Sequence, residues 1–374
     1  MGDALHTPSL PKENRSVTLT PDNIGSFIEE QMSLFHIPGM AACVVKEDSL
    51  SWVGTYGYAD LDKKIEVHDS TLFMIASVSK TITATALMTL YDKNAFRLDD
   101  EINDYLPFAI RNPNFSQTGI TFEMLLTHTS GVKDNWPKLM PLIVPGDSPI
   151  IIEEFLKDYL ISGGAYYDGD ANFHDWKPGD KFSYSNIGFT TIGYLVEMIS
   201  GQSFDKYCRE HLFDPLEMAK TSWFLQGMDV EDIAVPYPYE DGVFRAREHF
   251  GYPDYPAGQL RSNILELSHI LTVYMQKGTY RNQHILDKKT VELMTTMKVP
   301  IPDAMGIGLC WFEHYFGGRS LWEHGGTDPG VRTEVLFDPI EKIGVIVLTN
   351  GADKALTSIT AEIFKFALSQ HEEG

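Results

Sequence analysis

Residues Ile75–Tyr91 read IASVSKTITATALMTLY, a run of small and apolar residues whose one charged member is Lys80. This pattern predicts a buried helix that begins at Ala76 or Ser77. Ser77 and Lys80 are three residues apart, so their side chains share one helix face. The free N–H groups of the first turn point toward Ser77. A lysine that is desolvated enough to be partly neutral can take the serine proton and make the serine a nucleophile.

The serine–lysine spacing is weak when it is taken alone, because it also occurs at Ser9/Lys12, Ser130/Lys133 and Ser203/Lys206. The first of these pairs lies in a polar arm, the second follows a turn signal, and the third predicts a helix N-cap. Only the Ser77/Lys80 pair combines a predicted helix with expected burial. The alternative for Ser77 is a plain helix N-cap, and the spacing alone favours that alternative.

Length and composition exclude several classes of protein. A chain of 374 residues with 43% hydrophobic residues predicts a soluble globular protein with a large core in two lobes. The formal net charge of -22 makes nucleic acid an unfavourable partner, because the chain repels phosphate backbones. No apolar run approaches the roughly 20 residues that a membrane-spanning helix requires. The oligomeric state stays open.

The first residues and the cysteines bear on the compartment. The start of the chain has neither the basic nor the apolar region of a signal peptide, so we expect a cytoplasmic protein. An extracytoplasmic location stays open if a leader has been removed. The chain has three cysteines, and Cys43 and Cys310 lie in strand-like apolar runs where we expect buried thiols.

Strand patterns lie at both ends of the chain and helical patterns lie between them. Strand-like apolar runs and the turns between them predict an N-terminal hairpin and four C-terminal strands, at Met40–Val45, Leu50–Tyr58, Ile307–Phe312, Ser320–His324, Thr333–Phe337 and Ile343–Leu348, followed by a closing helix at Ala355–Leu368. The predicted fold class is α/β (α+β), with an antiparallel sheet built from both chain ends, flanking helices and an inserted, mostly helical lobe. The predicted division is an N-terminal arm (1–20), a sheet with packed terminal helices (21–78 and 295–374) and a helical lobe with cleft-lining loops (79–294). Ser77 lies where the first strands lead into that lobe, a natural place for a cleft.

A second cluster of chemically useful side chains is Phe182–Asn186, which precedes a helical pattern. A tyrosine near a lysine ammonium can be stabilised as phenolate, so Tyr184 is a candidate general base. Asn186 could hydrogen-bond the lysine or a substrate amide. The alternative is a packed aromatic ring followed by a capping asparagine.

The third cluster is Trp322–Thr327, which reads WEHGGT. His324 ends a predicted strand, and Gly325 and Gly326 would let the backbone approach a ligand closely. An N–H group at Thr327 could pair with the N–H of Ser77 as an oxyanion hole. The alternative is an ordinary strand histidine whose hydrogen bonds are satisfied.

These three motifs, in this order, resemble the serine β-lactamase and penicillin-binding-protein superfamily. The resemblance is greatest to its class C β-lactamase-like branch, with family VIII esterases and D-aminopeptidase-like hydrolases, and it covers roughly residues 22–370. Further similar stretches are Phe73–Lys80, Leu125–Gly131, Tyr184–Phe189 and Pro256–Ser262. The resemblance implies a β-lactamase/transpeptidase-like fold and no metal or organic cofactor.

The resemblance also implies a role for each motif. Ser77 would attack a carbonyl carbon and form an acyl-enzyme, which water later hydrolyses. Lys80 and Tyr184 would activate Ser77 and pass its proton to the leaving group. The implied binding residues are Asn186, which orients Lys80 and substrate; His324, Gly325 and Gly326, which line the cleft; and Thr327, whose N–H completes the oxyanion hole with that of Ser77.

The third motif departs from that of the superfamily's efficient β-lactamases, which carry a lysine where this chain has His324. Histidine is near neutral at pH 7, so the fixed charge that holds a drug's carboxylate is missing. We therefore expect a serine acyl-hydrolase of esters, small amides or peptides, with weak or no β-lactam turnover. The alternatives are a D-amino-acid-specific peptidase or carboxypeptidase, for which Arg261, Arg332 and Lys133 are candidate carboxylate partners, a true β-lactamase, and a penicillin-binding module without turnover.

Overall fold

Strands from both chain ends pair in one antiparallel sheet in the computed structural model, which describes residues 18–301, 305–351 and 356–372. The helices are α1 (Ile24–Leu34), α2 (Ser79–Asp92), α3 (Phe122–Leu126), α4 (Trp136–Leu139), α5 (Ile152–Leu160), α6 (Asn186–Ser200), α7 (Phe204–Cys208), α8 (Ile264–Met275), α9 (Lys288–Met294) and α10 (Leu356–Glu372). The strands are β1 (Gly39–Lys46), β2 (Ser49–Asp60), β3 (Ile65–Glu66), β4 (Phe73–Met74), β5 (Val144–Pro145), β6 (Tyr239–Glu240), β7 (Val243–Phe244), β8 (Phe250–Gly251), β9 (Arg261–Ser262), β10 (Thr279–Tyr280), β11 (Gln283–His284), β12 (Val299–Pro300), β13 (Gly306–Ile307), β14 (Phe312–Phe316), β15 (Arg319–Asp328), β16 (Val331–Asp338) and β17 (Ile343–Thr349).

The order of the main sheet, within the described ranges, is β12-β13-β14-β15-β16-β17-β1-β2-β3. The N-terminal hairpin joins the C-terminal strands through β1 and β17, which pair antiparallel with Cys43 opposite Ile346. The predicted fold class and the predicted sheet from both chain ends are therefore confirmed. The division into a sheet part and a helical lobe at the predicted boundaries stays a prediction. Residues 1–17 of the predicted N-terminal arm lie outside the described residues.

The centre of the sheet is covered on both faces, because successive side chains of a strand point to opposite sides. On β1, Ala41, Cys43 and Val45 pack into the core that the sheet shares with the helical lobe. The alternate residues of the same strand pack against α1 and α10 in a second core. A strand buried on both faces needs apolar residues at nearly every position, which β1 has.

Helix α2 lies in the middle of the lobe, and every residue from Ser79 to Leu90 is buried. The threonines of this helix are compatible with burial because their hydroxyls have partners. Thr85 Oγ1 lies 2.6 Å from the Thr81 carbonyl oxygen and 2.7 Å from the Tyr274 hydroxyl. Thr83 Oγ1 donates to the Pro256 carbonyl oxygen at 2.7 Å, which ties α2 to the loop before β9.

Two local details differ from the sequence-based expectation. The α-helix begins at Ser79, and Ser77 lies in a 3-10 turn, Ala76–Val78, just before it. The predicted strand Ile307–Phe312 is broken, because the Gly308 N–H donates to the Trp311 carbonyl oxygen and closes a turn. The Cys310 N–H, in this turn, instead donates to the Leu126 carbonyl oxygen at 2.9 Å. A tertiary hydrogen bond thus outweighs the local strand preference.

The remaining sequence-based expectations concern cysteines and membranes. Cys43, Cys208 and Cys310 are all free and buried, as expected for Cys43 and Cys310. None of the helices in the described ranges combines the length and the apolar character that crossing a bilayer requires.

Candidate active site

Ser77 and Lys80 meet at the start of α2. Lys80 is fully buried, and its Nζ donates to Ser77 Oγ at 3.0 Å, to Asn186 Oδ1 at 2.6 Å and to the Ala257 carbonyl oxygen at 2.5 Å. These three partners account for all three N–H donors of an ammonium group. The residue before Ser77, Ala76, has φ 46°, a left-handed conformation that L residues seldom adopt. The nucleophile candidate thus follows a sharp, strained turn.

The ionisation of Lys80 reflects two opposing effects. Burial lowers the pKa of Lys80 to about 8, because the charged ammonium loses its hydration. Nearby acidic groups, of which Asp134 has the largest effect, raise that pKa and partly offset the burial. A neutral fraction of Lys80 therefore exists near neutral pH, and a neutral amine can accept the proton of the Ser77 hydroxyl.

The Tyr184 ring lies over this pair, with its centroid 4.8 Å from Lys80 Nζ. Burial raises the pKa of Tyr184 well above its ordinary value, and the nearby Ser77 hydroxyl lowers it only in part. The Tyr184 hydroxyl has no well-aligned hydrogen-bond partner among the described residues. Burial of the ring thus favours a neutral phenol, whereas the sequence indicated a phenolate stabilised by Lys80; the catalytic role of Tyr184 stays a prediction.

His128 positions Tyr184 and was assigned no role from the sequence. Its ring stacks on that of Tyr184, with centroids 4.3 Å apart. Its Nδ1 accepts the N–H of Ser185 at 3.1 Å, and its carbonyl oxygen accepts the N–H of Ser183 at 2.8 Å. Burial, with a smaller effect from Lys80, lowers the pKa of His128 well below its usual value. A neutral imidazole is what an acceptor Nδ1 requires. The sequence did contain one indication of a role for His128, since it lies in Leu125–Gly131, one of the stretches that resemble the superfamily.

Asn186 lies between Lys80 and Asp134. Like His128, Asp134 was given no role in the sequence analysis. The Asn186 amide group donates from Nδ2 to Asp134 Oδ2 at 2.9 Å, so its Oδ1 is the atom that faces Lys80. The same carboxylate accepts the backbone N–H groups of Asn186 at 2.9 Å and Ile187 at 3.2 Å, and the Ser185 hydroxyl at 3.2 Å. Asp134 therefore fixes both the first turn of α6 and the orientation of the Asn186 amide.

Strand β15 supplies the third motif. His324 is buried, and its Nδ1 lies 2.8 Å from the Gly325 carbonyl oxygen, which can only accept, so Nδ1 carries the proton. Burial, followed by the effect of Lys80, lowers the pKa of His324 to about 4. His324 is thus neutral at pH 7. Its Nε2 has no partner among the described residues, and its ring centroid is 6.4 Å from that of Tyr184.

Gly326 brings β15 against the Ser77 turn. A Cβ atom at Gly326 would lie 2.5 Å from the Ile75 carbonyl oxygen and 3.0 Å from the Ser77 nitrogen, so only glycine fits. Thr333, on the neighbouring strand, donates from Oγ1 to the same Ile75 oxygen at 2.7 Å. Gly326 thus lies beside the Ser77 N–H, and the role of the Thr327 N–H as the second oxyanion donor stays a prediction.

The charged groups around the site are mostly acidic. Asp254 and Asp328 both act on Lys80, and burial raises the pKa of each carboxyl group to about 7. Asp328 accepts the hydroxyl of Tyr252 at 3.0 Å. Arg261, a predicted carboxylate partner, is buried and donates to the backbone carbonyl oxygens of Phe250 and Gln259 at 2.6 and 3.2 Å.

The other two predicted cations, Arg332 and Lys133, have different surroundings. Arg332 contacts the side chain of Thr327 at the end of β15. Lys133 acts on His174 and lowers the pKa of that imidazole, although burial has the larger effect.

Comparison with known proteins gives a family match and several relatives. A model of the Beta-lactamase family matches residues 24–367. The chain is 30% identical over 357 residues to Penicillin-binding protein 4 of Amycolatopsis lactamdurans, covering 90% of this chain and 86% of that protein. It is 26% identical over 328 residues to Protein flp of Staphylococcus aureus (strain MRSA252), covering 87% of this chain but only 62% of that relative.

A similar fold occurs in the D-amino acid amidase of Ochrobactrum anthropi SV3, with a TM-score of 0.76 and 19% identity, covering 94% of this chain and 99% of that one. At this identity the likeness concerns the fold alone. The family match, by contrast, spans the Ser77 turn, the Tyr184 segment and strand β15 together. On this match the chain belongs to the Beta-lactamase family.

Proposed function

We propose that this protein hydrolyses esters, small amides or peptides through an acyl-enzyme on Ser77. The observation that carries the proposal is the 3.0 Å hydrogen bond between Ser77 Oγ and a buried Lys80, whose pKa is about 8. A serine paired with a partly neutral amine is an activated nucleophile. A plain helix N-cap would need no such partner.

In the acylation step, Ser77 Oγ attacks the substrate carbonyl carbon while its proton passes to Lys80 Nζ. The negative charge on the carbonyl oxygen would be held by the N–H groups of Ser77 and Thr327. As the bond to the leaving group breaks, the neutral Tyr184 phenol donates its proton to that group and regains one from Lys80. Water then attacks the acyl carbon, and Ser77 and the acid are released.

The third motif supports weak or no β-lactam turnover. His324 is neutral at pH 7 because burial lowers its pKa to about 4. It therefore offers no fixed positive charge to a drug's carboxylate. Penicillins are expected to acylate Ser77 slowly, or to be released slowly from it.

A second candidate is the hydrolysis of amides or esters of amino acids that carry a free amino group. The favouring observation is the pair of carboxyl groups, Asp254 and Asp328, that act on Lys80. Acidic groups attract an ammonium group and repel a carboxylate. Arg261, which a carboxypeptidase could have used, is committed to backbone carbonyl oxygens. D-amino-acid amides are one such class, and the amidase named above shares the fold.

The test is intact-mass analysis after treatment with a fluorophosphonate, with p-nitrophenyl acetate turnover read in parallel. We expect one adduct on the wild-type chain and none on Ser77→Ala. Ser79→Ala is the matched control, because Ser79 Oγ accepts the Leu260 N–H and has a structural role. It should still be labelled. Folded wild-type protein without adduct or turnover would instead favour a binding module.

D-phenylalanine amide and its N-acetyl derivative then separate the two candidates. Faster hydrolysis of the free amine favours the second candidate. Equal or faster hydrolysis of the N-acetyl compound favours the first.

A further inference from the structure

Asp134 lies directly behind the residue that orients Lys80. The path runs from Ser77 Oγ through Lys80 Nζ and the Asn186 amide group to Asp134, with contacts of 3.0, 2.6 and 2.9 Å. The contact of Lys80 with Asn186 and that of Asn186 with Asp134 each have one possible direction. The Asp134 carboxylate accepts from Asn186 Nδ2, which turns the Asn186 oxygen toward the lysine donor.

We propose that Asp134 is a positioning residue for the Ser77–Lys80 pair: it holds the Asn186 amide in its working orientation and stabilises the charge that forms when Lys80 takes the Ser77 proton. The inference rests on the proposed acyl-enzyme function and deepens it. In a serine–histidine–aspartate triad, the aspartate orients the base and stabilises its cation. We assign the same task to Asp134, which acts on Lys80 through Asn186.

The chemistry of the carboxylate argues that Asp134 does more than cap α6. Ser185 already caps this helix, since its hydroxyl accepts the Gly188 N–H at 2.9 Å. Asp134 belongs to a different segment, residues 127–135, and reaches the helix from outside. Among the acidic groups that act on Lys80, Asp134 has the largest effect. Burial raises the pKa of Asp134, but the hydrogen bonds from Asn186, Ile187 and Ser185 and the charge of Lys80 favour its ionised form.

The other titratable groups around Lys80 and Asp134 set the background for a pH experiment. Those acting on Lys80 or affected by it are Asp254, Asp328, Cys310, His128, His324 and Tyr184. The charge of Asp134 raises the pKa of three groups, Tyr159, Tyr184 and Asp254. A change confined to Asp134 leaves all of these groups in place, and a variant that keeps the charge at this position controls for their response to the substitution.

The experiment measures the pH dependence of kcat/KM for p-nitrophenyl acetate, between pH 5 and 10, in wild type, Asp134→Asn and Asp134→Glu. Removing the negative charge should lower the pKa of Lys80. The acid limb of the Asp134→Asn profile should therefore move to lower pH by about 1 pH unit. Because asparagine cannot accept from all the donors that the carboxylate serves, kcat should also fall about tenfold or more.

Asp134→Glu keeps the charge and is the rescue variant. Its acid limb should stay within about 0.3 pH unit of wild type, with kcat between those of wild type and Asp134→Asn. Asp134→Glu also tests the proposal if Asp134→Asn does not fold. An acid limb displaced by about 1 pH unit in folded Asp134→Glu would contradict the proposal. Ser185→Ala is the matched control for α6, since it loses a cap and one contact to Asp134 but no charge. Its melting temperature should fall while its acid limb stays in place.

A folded Asp134→Asn variant with lower kcat but an unchanged acid limb would overturn the proposal and leave Asp134 a structural residue. Failure of the proposed function would look different, because wild-type protein would then give neither a Ser77 adduct nor ester turnover.

Discussion

The substitution Gly326→Ala tests the contact between β15 and the Ser77 turn. The new Cβ would lie 2.5 Å from the Ile75 carbonyl oxygen, which is 0.9 Å short of the 3.4 Å at which ordinary contact begins. It would also lie 2.4 Å from Thr333 Oγ1. That hydroxyl can rotate away, but the Ile75 oxygen belongs to backbone that leads into Ser77. The strand and the turn must therefore separate by several tenths of an ångström.

That separation should lower both the activity and the stability of the protein. A displacement of about 1 Å between reacting groups, or the loss of one oxyanion donor, typically lowers kcat by about 10²-fold. Overpacking at a buried contact typically costs about 1–3 kcal/mol of the free energy of unfolding. We expect kcat for p-nitrophenyl acetate to fall about 100-fold, and labelling of Ser77 by a fluorophosphonate to slow in parallel.

Gly325→Ala is the matched variant on the same strand, because the nearest atom to its new Cβ is the Thr333 carbonyl oxygen at 3.9 Å. Its melting temperature should match that of wild type, and its labelling rate should change by about threefold at most. The reasoning is refuted if Gly326→Ala keeps more than a third of wild-type kcat, or if the two variants lose labelling rate equally.

Three other outcomes follow from the buried polar groups. The kcat/KM for esters should rise with pH along an acid limb near pH 8, since acylation needs neutral Lys80; a flat profile between pH 6 and 9 would contradict this. Burial, and to a smaller extent the charge of Glu323, raises the pKa of Glu334 to about 8. The free energy of unfolding should therefore fall as the pH rises from the pKa of Glu334 in the unfolded chain toward 8, because the unfolded chain ionises this group first. The melting temperature of Glu334→Gln, relative to that of wild type, should therefore rise between pH 5 and 9. A difference that stays constant over this range would count against the raised pKa of Glu334. Thr85→Val should cost about 1–2 kcal/mol in urea unfolding, because the variant removes the 2.7 Å hydrogen bond to Tyr274; an unchanged midpoint would mean that the bond is dispensable.

The sequence predicted the architecture well because its signals are local. A continuous apolar run marks β1, and the small and apolar residues of Ile75–Tyr91, with one charge among them, mark α2. The break at Cys310 could not be predicted, because it depends on a hydrogen bond to Leu126, far away in the chain. Local pattern describes what a segment prefers, whereas a single long-range bond can decide what it adopts.

The candidate site divides in the same way. The resemblance to the serine β-lactamase superfamily, carried by three motifs, was sufficient to expect Ser77, Lys80 and Asn186 in one place. The protonation of Tyr184 was not predictable, because it depends on how completely other side chains exclude water from the ring. Asp134 carried no motif of its own, and only its contacts with Asn186 reveal it.

The pairing of β1 with β17 also constrains the order in which the protein can fold during synthesis. Cys43 and its partner Ile346 are separated by almost the whole chain, so the ribosome releases β1 long before its neighbour exists. Until then, β1 is the open edge of a hairpin, and its apolar residues offer unpaired N–H and C=O groups to any other extended chain. Contacts of such sequence separation form slowly. The nascent N-terminal hairpin is therefore open to pairing with other extended chains during synthesis, and Ser77 can meet strand β15 only after the C-terminal strands have emerged.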